Sequence, residues 1–154
     1  MTFVPGQPIE DVAHAEASER NRVAALLFEL FMIELFELRL VQTDPNFANY
    51  QYNAETGQVV LLDFGASRRF KAALVRGYRD LLAGAIAGDR PSMVKAAESI
   101  GYHLGPDNSA YRQTLLELAD IALVPLIVNK PYDFGRSPIP QQLLQRVEPL
   151  KNNS

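Results

Sequence analysis

The chain has 154 residues, 47% of them hydrophobic and 21% charged, a composition typical of one soluble globular domain with a sizeable core. Its formal net charge of −3, without a long run of Lys or Arg, provides no electrostatic footprint for nucleic acid or an anionic membrane surface. The chain has no cysteine and only two histidines, which excludes disulfides and thiolate metal sites and disfavours a zinc site.

The N-terminal part is predicted to contain an extended segment and then a long helix. Residues 1–9 hold two prolines and a glycine, which favours extended chain, and no secretory signal is visible there. Residues 18–42 are apolar almost all the way round, which predicts a central helix packed on several sides, with Phe28, Phe31 and Phe36 in its core. Charged residues interrupt this stretch, so a buried helix is favoured over a membrane span, and a peripheral membrane contact stays open.

After this helix the pattern changes to a loop and a small hairpin. Residues 42–50 are polar and contain a proline, which predicts a loop. Residues 50–53 and the wholly apolar residues 59–62 are predicted strands, joined by a turn at 53–57 that ends in glycine. The second strand, predicted to be buried, leads directly to Asp63.

The remainder of the chain is predicted to be helical. The apolar spacing and the helix-breaking residues favour helices at 70–87, at about 90–102 with Pro91 in its first turn, at 109–128 with a kink or end at Pro125, and at 141–147. The fold class is therefore mainly α with a small β-hairpin, an α+β fold.

The residues that suggest chemistry lie between 42 and 65. Asp44 and Asn49 share the polar loop, and Asp63 follows Asp44 by nineteen positions at the end of the apolar strand. Transfer of a phosphoryl group from a nucleotide needs oxygen ligands for Mg²⁺ and a carboxylate near the attacking group. The order Asp44-x-x-x-x-Asn49, hairpin, Asp63-Phe64-Gly65 agrees with the kinase signature. The sequence therefore predicts the metal–nucleotide half of a phosphoryl-transfer site.

Simpler interpretations exist for each part of this pattern. Asp-Pro-Asn and Asn-x-x-x-Gly are common turn sequences, and an aspartate after a strand often only caps a turn. A second Asp-Phe-Gly, at residues 133–135, follows no strand and is interpreted as a structural loop. Arg68 and Arg69 could contact phosphate or a lipid head group, but such a pair is more often solvated.

The segments QTDPNFANY and VVLLDFGASRRF closely resemble the UbiB/AarF family of atypical kinase-like proteins, the ADCK type. ELFELRLVQTDPNFAN resembles that family's helix and catalytic loop, and PYDFG resembles a segment of its ubiquinone-linked members. The resemblance runs roughly from Phe3 to Gly135. It implies the C-terminal lobe of a protein-kinase-like fold, with a hinge-proximal segment at 1–17, the lobe at 18–150 and a tail at 151–154.

The resemblance also implies roles for the three residues. Asp44 would be the catalytic-loop aspartate, and Asn49 and Asp63 would bind the nucleotide by holding Mg²⁺ on the phosphates of ATP. Members of this family support the biosynthesis of ubiquinone and related prenyl lipids as ATPases or small-molecule kinases. The implied partners are a nucleotide, prenyl lipids or quinone precursors and quinone-biosynthesis proteins, but no nucleic acid. The implied location is cytoplasmic or membrane-peripheral in a bacterium and mitochondrial in a eukaryote.

The chain departs from ordinary protein kinases in several places. Gln42 and Thr43 replace the usual His-Arg pair, as this family expects, and no Ala-Pro-Glu follows. The lysine and the nucleotide-covering loop of an N-terminal lobe have no counterpart, so we expect a fragment of a longer protein. The alternative to an enzyme is a truncated, inactive kinase-like module that binds lipid or partner proteins.

Overall fold

The computed structural model describes residues 5–106 and 109–151, with the backbone alone at 148–151. Residues 1–4 of the predicted extended segment and residues 152–154 of the predicted tail lie outside the described residues. The chain divides into two units, the first ending at Val75 and the second beginning at Arg76. No helix in the described ranges is both long and apolar enough to cross a bilayer.

The long helix of the first unit ends earlier than predicted. Helix α1 (Ala17–Met32) continues as a π-helical segment (Ile33–Leu38) and stops where Arg39 takes a left-handed conformation with a φ of 53°. The next residues form strand β2 (Leu40–Gln42), which pairs antiparallel with β5 (Ser67–Arg69). The prediction of a helix to residue 42 is therefore wrong, because cross-strand pairing replaces the helical hydrogen bonds there.

The predicted hairpin is confirmed. Strands β3 (Tyr50–Asn53) and β4 (Gln58–Leu61) pair antiparallel with Tyr50 opposite Leu61. Gly57 closes the turn with a φ of 69°, a conformation that side-chain-bearing residues rarely adopt. A short strand that the sequence did not predict, β1 (Gln7–Pro8), adds to the other edge of β3.

The core of the first unit lies between the hairpin and one side of α1. Tyr52 is fully buried; its hydroxyl donates to Glu19 Oε1 at 3.1 Å and accepts a hydrogen bond from Arg22. The Arg22 guanidinium lies 5.5 Å from the centre of the Tyr52 ring, a cation–π arrangement. The other buried members of this cluster are Ile9, Val12, Val23 and Tyr50. A second cluster joins Leu35, Val41 and Val75.

Two of the predicted core positions are wrong. Phe28 and Phe31 remain 50% and 45% exposed, whereas Phe36 packs against the second cluster as predicted. These two rings are exposed because only the side of α1 centred on Val23 packs against the hairpin. The second hairpin strand is also less buried than predicted, since residues 59–61 are half-buried and Leu62 is exposed.

Helices follow one another in the second unit, as predicted. The second unit contains most of α2 (Ala72–Ala87), which begins in the first unit. It is followed by α3 (Arg90–Ser99), α4 (Ala110–Ala122), α5 (Val124–Ile127) and α6 (Ile139–Lys151). The break between α4 and α5 at Leu123 confirms the predicted helix end near Pro125.

Helix α3 begins at a well-formed cap. The Asp89 carboxylate accepts hydrogen bonds from the Ser92 hydroxyl at 2.6 Å and from the Ser92 backbone N–H at 3.1 Å, and Pro91 lies in the first turn as predicted. The bond from the hydroxyl has the larger effect and the bond from the backbone the smaller one. Together they hold the pKa of Asp89 below its usual value.

Candidate functional site

The three predicted site residues lie on two neighbouring loops of the first unit. Asp44 follows β2 by two positions, Asn49 ends a 3₁₀ turn (Phe47–Asn49) just before β3, and Asp63 follows β4 by two positions. Asp44 and Asp63 are solvent-exposed and Asn49 is half-buried. Each residue therefore lies at the end of a strand, where the loop remains open to a ligand.

Hydrogen bonds hold the two loops together on both sides. The backbone N–H of Leu62 donates to the carbonyl of Asn49 at 2.9 Å, which extends the pairing of β3 with β4. The backbone N–H and the hydroxyl of Thr43 both donate to the carbonyl of Ala66, at 3.3 and 2.6 Å. The loop that carries Asp44 and Asn49 therefore lies directly against the loop that carries Asp63.

Within its loop, Asn49 is oriented by a hydrogen bond. Its Nδ2 donates to the backbone carbonyl of Asp44 at 3.4 Å, and its backbone N–H donates to the carbonyl of Asn46 at 2.9 Å. Because the amide nitrogen is used in this contact, the amide oxygen is the atom left to bind a ligand.

The Asp63 carboxylate is held by the turn that follows it. Asp63 Oδ1 accepts from the backbone N–H of Gly65 at 2.7 Å. A Cβ at residue 65 would lie 3.1 Å from this oxygen, closer than nine in ten Cβ contacts, so a larger residue would crowd the carboxylate. The glycine of the Asp-Phe-Gly motif thus leaves room for the aspartate.

The charges around the site suit a cation. Burial raises the pKa of Tyr50, and the negative charges of Glu34 and Asp44 raise it further. These two carboxylates therefore create a negative potential at the start of β3. None of the salt bridges between described residues involves Asp44 or Asp63.

The oxygen donors fit Mg²⁺ bound together with a nucleotide. No group of three or more His, Cys, Asp or Glu side chains is placed to hold a metal within the described part of the chain. Mg²⁺ commonly uses one or two carboxylates, completes its shell with waters and substrate phosphates, and needs no protein cage. Asp63 and the Asn49 oxygen match this chemistry.

The second Asp-Phe-Gly forms a similar turn in the second unit. Asp133 Oδ1 accepts from the backbone N–H groups of Gly135 at 3.0 Å and Arg136 at 3.3 Å. The Arg136 guanidinium lies 3.8 Å from the other carboxylate oxygen, and no strand directly precedes the motif at residues 128–132. These contacts agree with the predicted structural loop.

Three further residues are Arg68 and Arg69, whose role the sequence leaves open, and Gln42, whose role it does not predict. Arg68 and Arg69 are exposed on β5 opposite Val41 and Leu40, a position that leaves both predicted roles open. Gln42, assigned to a loop from the sequence, is instead a buried strand residue whose side chain contacts both loops. The one sign of this position in the sequence is that a polar residue directly follows the apolar pair Leu40–Val41.

Comparison with known proteins identifies the family. Residues 1–97 match the ABC1 atypical kinase-like domain. The chain belongs to the ABC1 atypical kinase-like family. This confirms the resemblance to UbiB/AarF proteins, and the family implies a kinase-like fold, with which the observed α+β architecture agrees.

Relatives of this ABC1 chain carry the name atypical kinase. Atypical kinase COQ8B, mitochondrial, of Rattus norvegicus is 33% identical over 135 residues, which cover 88% of this chain and 26% of that protein. Atypical kinase COQ8, mitochondrial, of Saccharomyces cerevisiae is 31% identical over 136 residues, 87% of this chain and 27% of that protein. The chain thus spans about a quarter of the length of these relatives.

Proposed function

We propose that the first unit is the metal- and nucleotide-binding half of an atypical kinase or ATPase site. The observation that carries the proposal is the hydrogen-bonded contact between the Asp44–Asn49 loop and the Asp63 loop. In this proposal Asn49 and Asp63 hold Mg²⁺, and Asp44 orients the attacking hydroxyl or water and accepts its proton. Bound Mg²⁺ would neutralise charge on the phosphates of ATP.

The proposal extends to the wider context of the protein. The chain would be the C-terminal lobe of a kinase-like domain, with residues 1–17 near the hinge, the lobe at 18–150 and a tail at 151–154. Its activity, ATP hydrolysis or phosphoryl transfer, would support ubiquinone biosynthesis beside prenyl lipids, quinone precursors and the proteins that process them. The names of the mitochondrial relatives support a mitochondrial location in a eukaryote; in a bacterium the protein would be cytoplasmic or membrane-peripheral.

Calorimetric titration of this chain with ATP, with and without Mg²⁺, tests the site. We expect Mg²⁺-dependent binding that weakens by at least about 100-fold in Asp63→Ala, because loss of a metal ligand exceeds the effect of losing its supporting contacts. Asp133→Ala is the matched control, since Asp133 begins the second Asp-Phe-Gly tripeptide and accepts the same type of backbone hydrogen bond as Asp63.

Besides the absence of Mg²⁺-dependent ATP binding by the wild type, two results with the variants would contradict the proposal. The first is equal Mg²⁺–ATP affinity in the wild type and Asp63→Ala. The second is an equal loss in Asp133→Ala, which would mean that the change reflects general disruption. ATP turnover by a longer form of the protein, with and without Asp63→Asn, extends the test from binding to chemistry.

A non-catalytic module is the second candidate function. It is favoured by the large apolar side chains exposed on the first unit, among them Phe28 and Phe31 on α1 and Phe64 next to Asp63. Mg²⁺–ATP binding that disappears in Asp63→Ala would argue against an inert module. Prenyl-lipid binding that is independent of Asp44 and Asp63 would favour the module instead.

A further inference from the structure

Gln42 is a buried polar side chain that contacts both loops of the predicted site. It is only 9% exposed. Its Nε2 donates to the backbone carbonyl of Asp63 at 2.8 Å, and its Oε1 accepts from the backbone N–H of Asp44 at 3.4 Å. One amide group therefore joins the main chains of two aspartates that are nineteen positions apart.

Gln42 is itself held in place by the end of the long helix. Its backbone N–H donates to Glu34 Oε2 at 3.0 Å. Glu34 lies in the π-helical segment, and the left-handed Arg39 then turns the chain back so that β2 passes this carboxylate. The contact fixes the strand from which the Gln42 side chain projects.

The chemistry of the amide explains why a glutamine is suited to this position. The two contacts require one donor and one acceptor on the same side chain, and an amide supplies both. A glutamate keeps the acceptor for Asp44 but has no N–H for the Asp63 carbonyl, and a leucine supplies neither. Because Gln42 is buried and its two hydrogen bonds are partly buried, a substitution that removes one of them leaves a partly buried backbone group without its partner.

We propose that Gln42 is a positioning residue that sets the spacing between Asp44 and Asp63 in the metal–nucleotide site. This inference rests on the function proposed above. Gln42 contacts neither metal nor nucleotide in the proposal; it acts through the backbone of the two aspartates. Its loss should therefore raise the Mg²⁺ concentration that nucleotide binding requires, even where the chain stays folded.

The test compares the Mg²⁺ concentration that gives half-maximal ATP binding in Gln42→Leu and in the isosteric Gln42→Glu. Matched controls are Gln58→Leu and Gln58→Glu, since Gln58 is exposed on β4 outside the site. We expect the Mg²⁺ midpoint to rise by about 10-fold or more in both Gln42 variants, the usual effect of removing a residue that orients metal ligands. It should stay unchanged in both controls.

A merely structural role gives a different result. Irreversible unfolding lowers the binding stoichiometry and leaves the Mg²⁺ midpoint unchanged, whereas reversible unfolding weakens apparent binding only by the inverse of the folded fraction, which circular dichroism measures. Should Gln42→Leu fail to fold, Gln42→Glu preserves the side-chain shape and gives the same readout. A rise in midpoint for both Gln58 variants would also overturn the assignment, because the effect would then not belong to residue 42.

The test separates this inference from the function on which it rests. If Asp63→Ala abolishes Mg²⁺-dependent binding while both Gln42 variants keep the wild-type midpoint, the positioning role is wrong and the proposed site stands. If the wild-type chain shows no Mg²⁺-dependent ATP binding, the proposed site is wrong and the role of Gln42 fails with it.

Discussion

Tyr50 lies at the start of β3, where burial and two carboxylates act on one hydroxyl. Burial raises its pKa above the usual value of 10.0, and the charges of Glu34 and Asp44 add to the increase. A tyrosine whose folded-state pKa is raised holds its proton more tightly in the folded chain than in the unfolded chain. Its contribution to stability is therefore complete below about pH 10 and is lost as the pH rises toward the folded-state pKa.

Replacing Tyr50 by phenylalanine should remove this alkaline dependence. We expect wild-type stability to fall relative to Tyr50→Phe above about pH 10, no more steeply than about 1.4 kcal/mol per pH unit, the limit for one proton. Urea unfolding between pH 8 and pH 11 measures the difference. Tyr111→Phe, at an exposed position in α4, serves as the control. Parallel pH curves for wild type and Tyr50→Phe would contradict the prediction.

Single residues differ in how well the sequence predicts them. Asp44, Asn49 and Asp63 could be chosen as a predicted site because ligand chemistry limits the residue types and the kinase signature fixes their order. Gln42 could not be assigned, because its role depends on pairing between β2 and β5, which are separated by more than twenty residues. A contact of that range leaves no periodic pattern in the sequence.

Among the elements, α2 and α3 pack closely at a glycine. Gly77 is buried in α2, and a Cβ at this position would lie 2.1 Å from Ile100 Cγ2, just beyond the end of α3. Glycine weakens a helix by about 1 kcal/mol relative to alanine. Its presence in the middle of α2 is explained by this close approach.

Gly77→Ala should destabilise the chain although alanine favours the helix. Overpacking costs about 1–3 kcal/mol, which exceeds the gain in helix propensity. Urea unfolding of Gly77→Ala, Ile100→Ala and the double variant measures the coupling, because Ile100→Ala removes the methyl group that the new Cβ would meet. If the change in unfolding free energy of the double variant equals the sum of the two single changes, the close approach is not the cause of the destabilisation.

The sequence predicts the second-unit helices better than the end of α1. The breaks at Gly88–Asp89 and near Pro125 are visible because glycine, a capping aspartate and proline change the backbone locally. The π-helical segment contains ordinary helix-forming side chains such as Leu35 and Leu38, so nothing in it marks a helix end. In β2 the hydrogen bonds to β5 outweigh local helix propensity, so the true helix end is hidden.

For the whole molecule, exposed apolar side chains combine with a low net charge. Phe28 and Phe31 on α1 are about half exposed, Phe134 and Leu144 in the second unit are exposed further, and the net charge is only −3. Exposed apolar area favours association, and a small net charge opposes it weakly. The low net charge follows directly from the composition. The exposure of Phe28 and Phe31 does not, because a helix that is apolar on nearly all sides is predicted to be buried.

The double variant Phe28→Ser/Phe31→Ser should associate less while remaining folded. Each side chain is already half exposed, so each change should cost less than the about 3–5 kcal/mol of a fully buried phenylalanine. Sedimentation velocity over a range of concentrations measures association. Val23→Ser, on the same helix but 3% exposed, is the comparison and should unfold far more easily. Equal loss of stability in the two variants would contradict the exposure of these rings.

The hairpin of β3 and β4 also has a consequence for the order of folding. It brings Asn49 and Leu62 into backbone contact across a short closed segment, so the predicted metal ligands meet through contacts that are local along the chain. Short loops close at low entropic cost, and hairpins form within about 1–10 μs. The Asn49 and Asp63 side of the predicted site can therefore form early, whereas the Gln42 contacts that join Asp44 to Asp63 require the slower pairing of β2 with β5. The nascent chain would carry its two predicted metal ligands close together before Asp44 is fixed beside them.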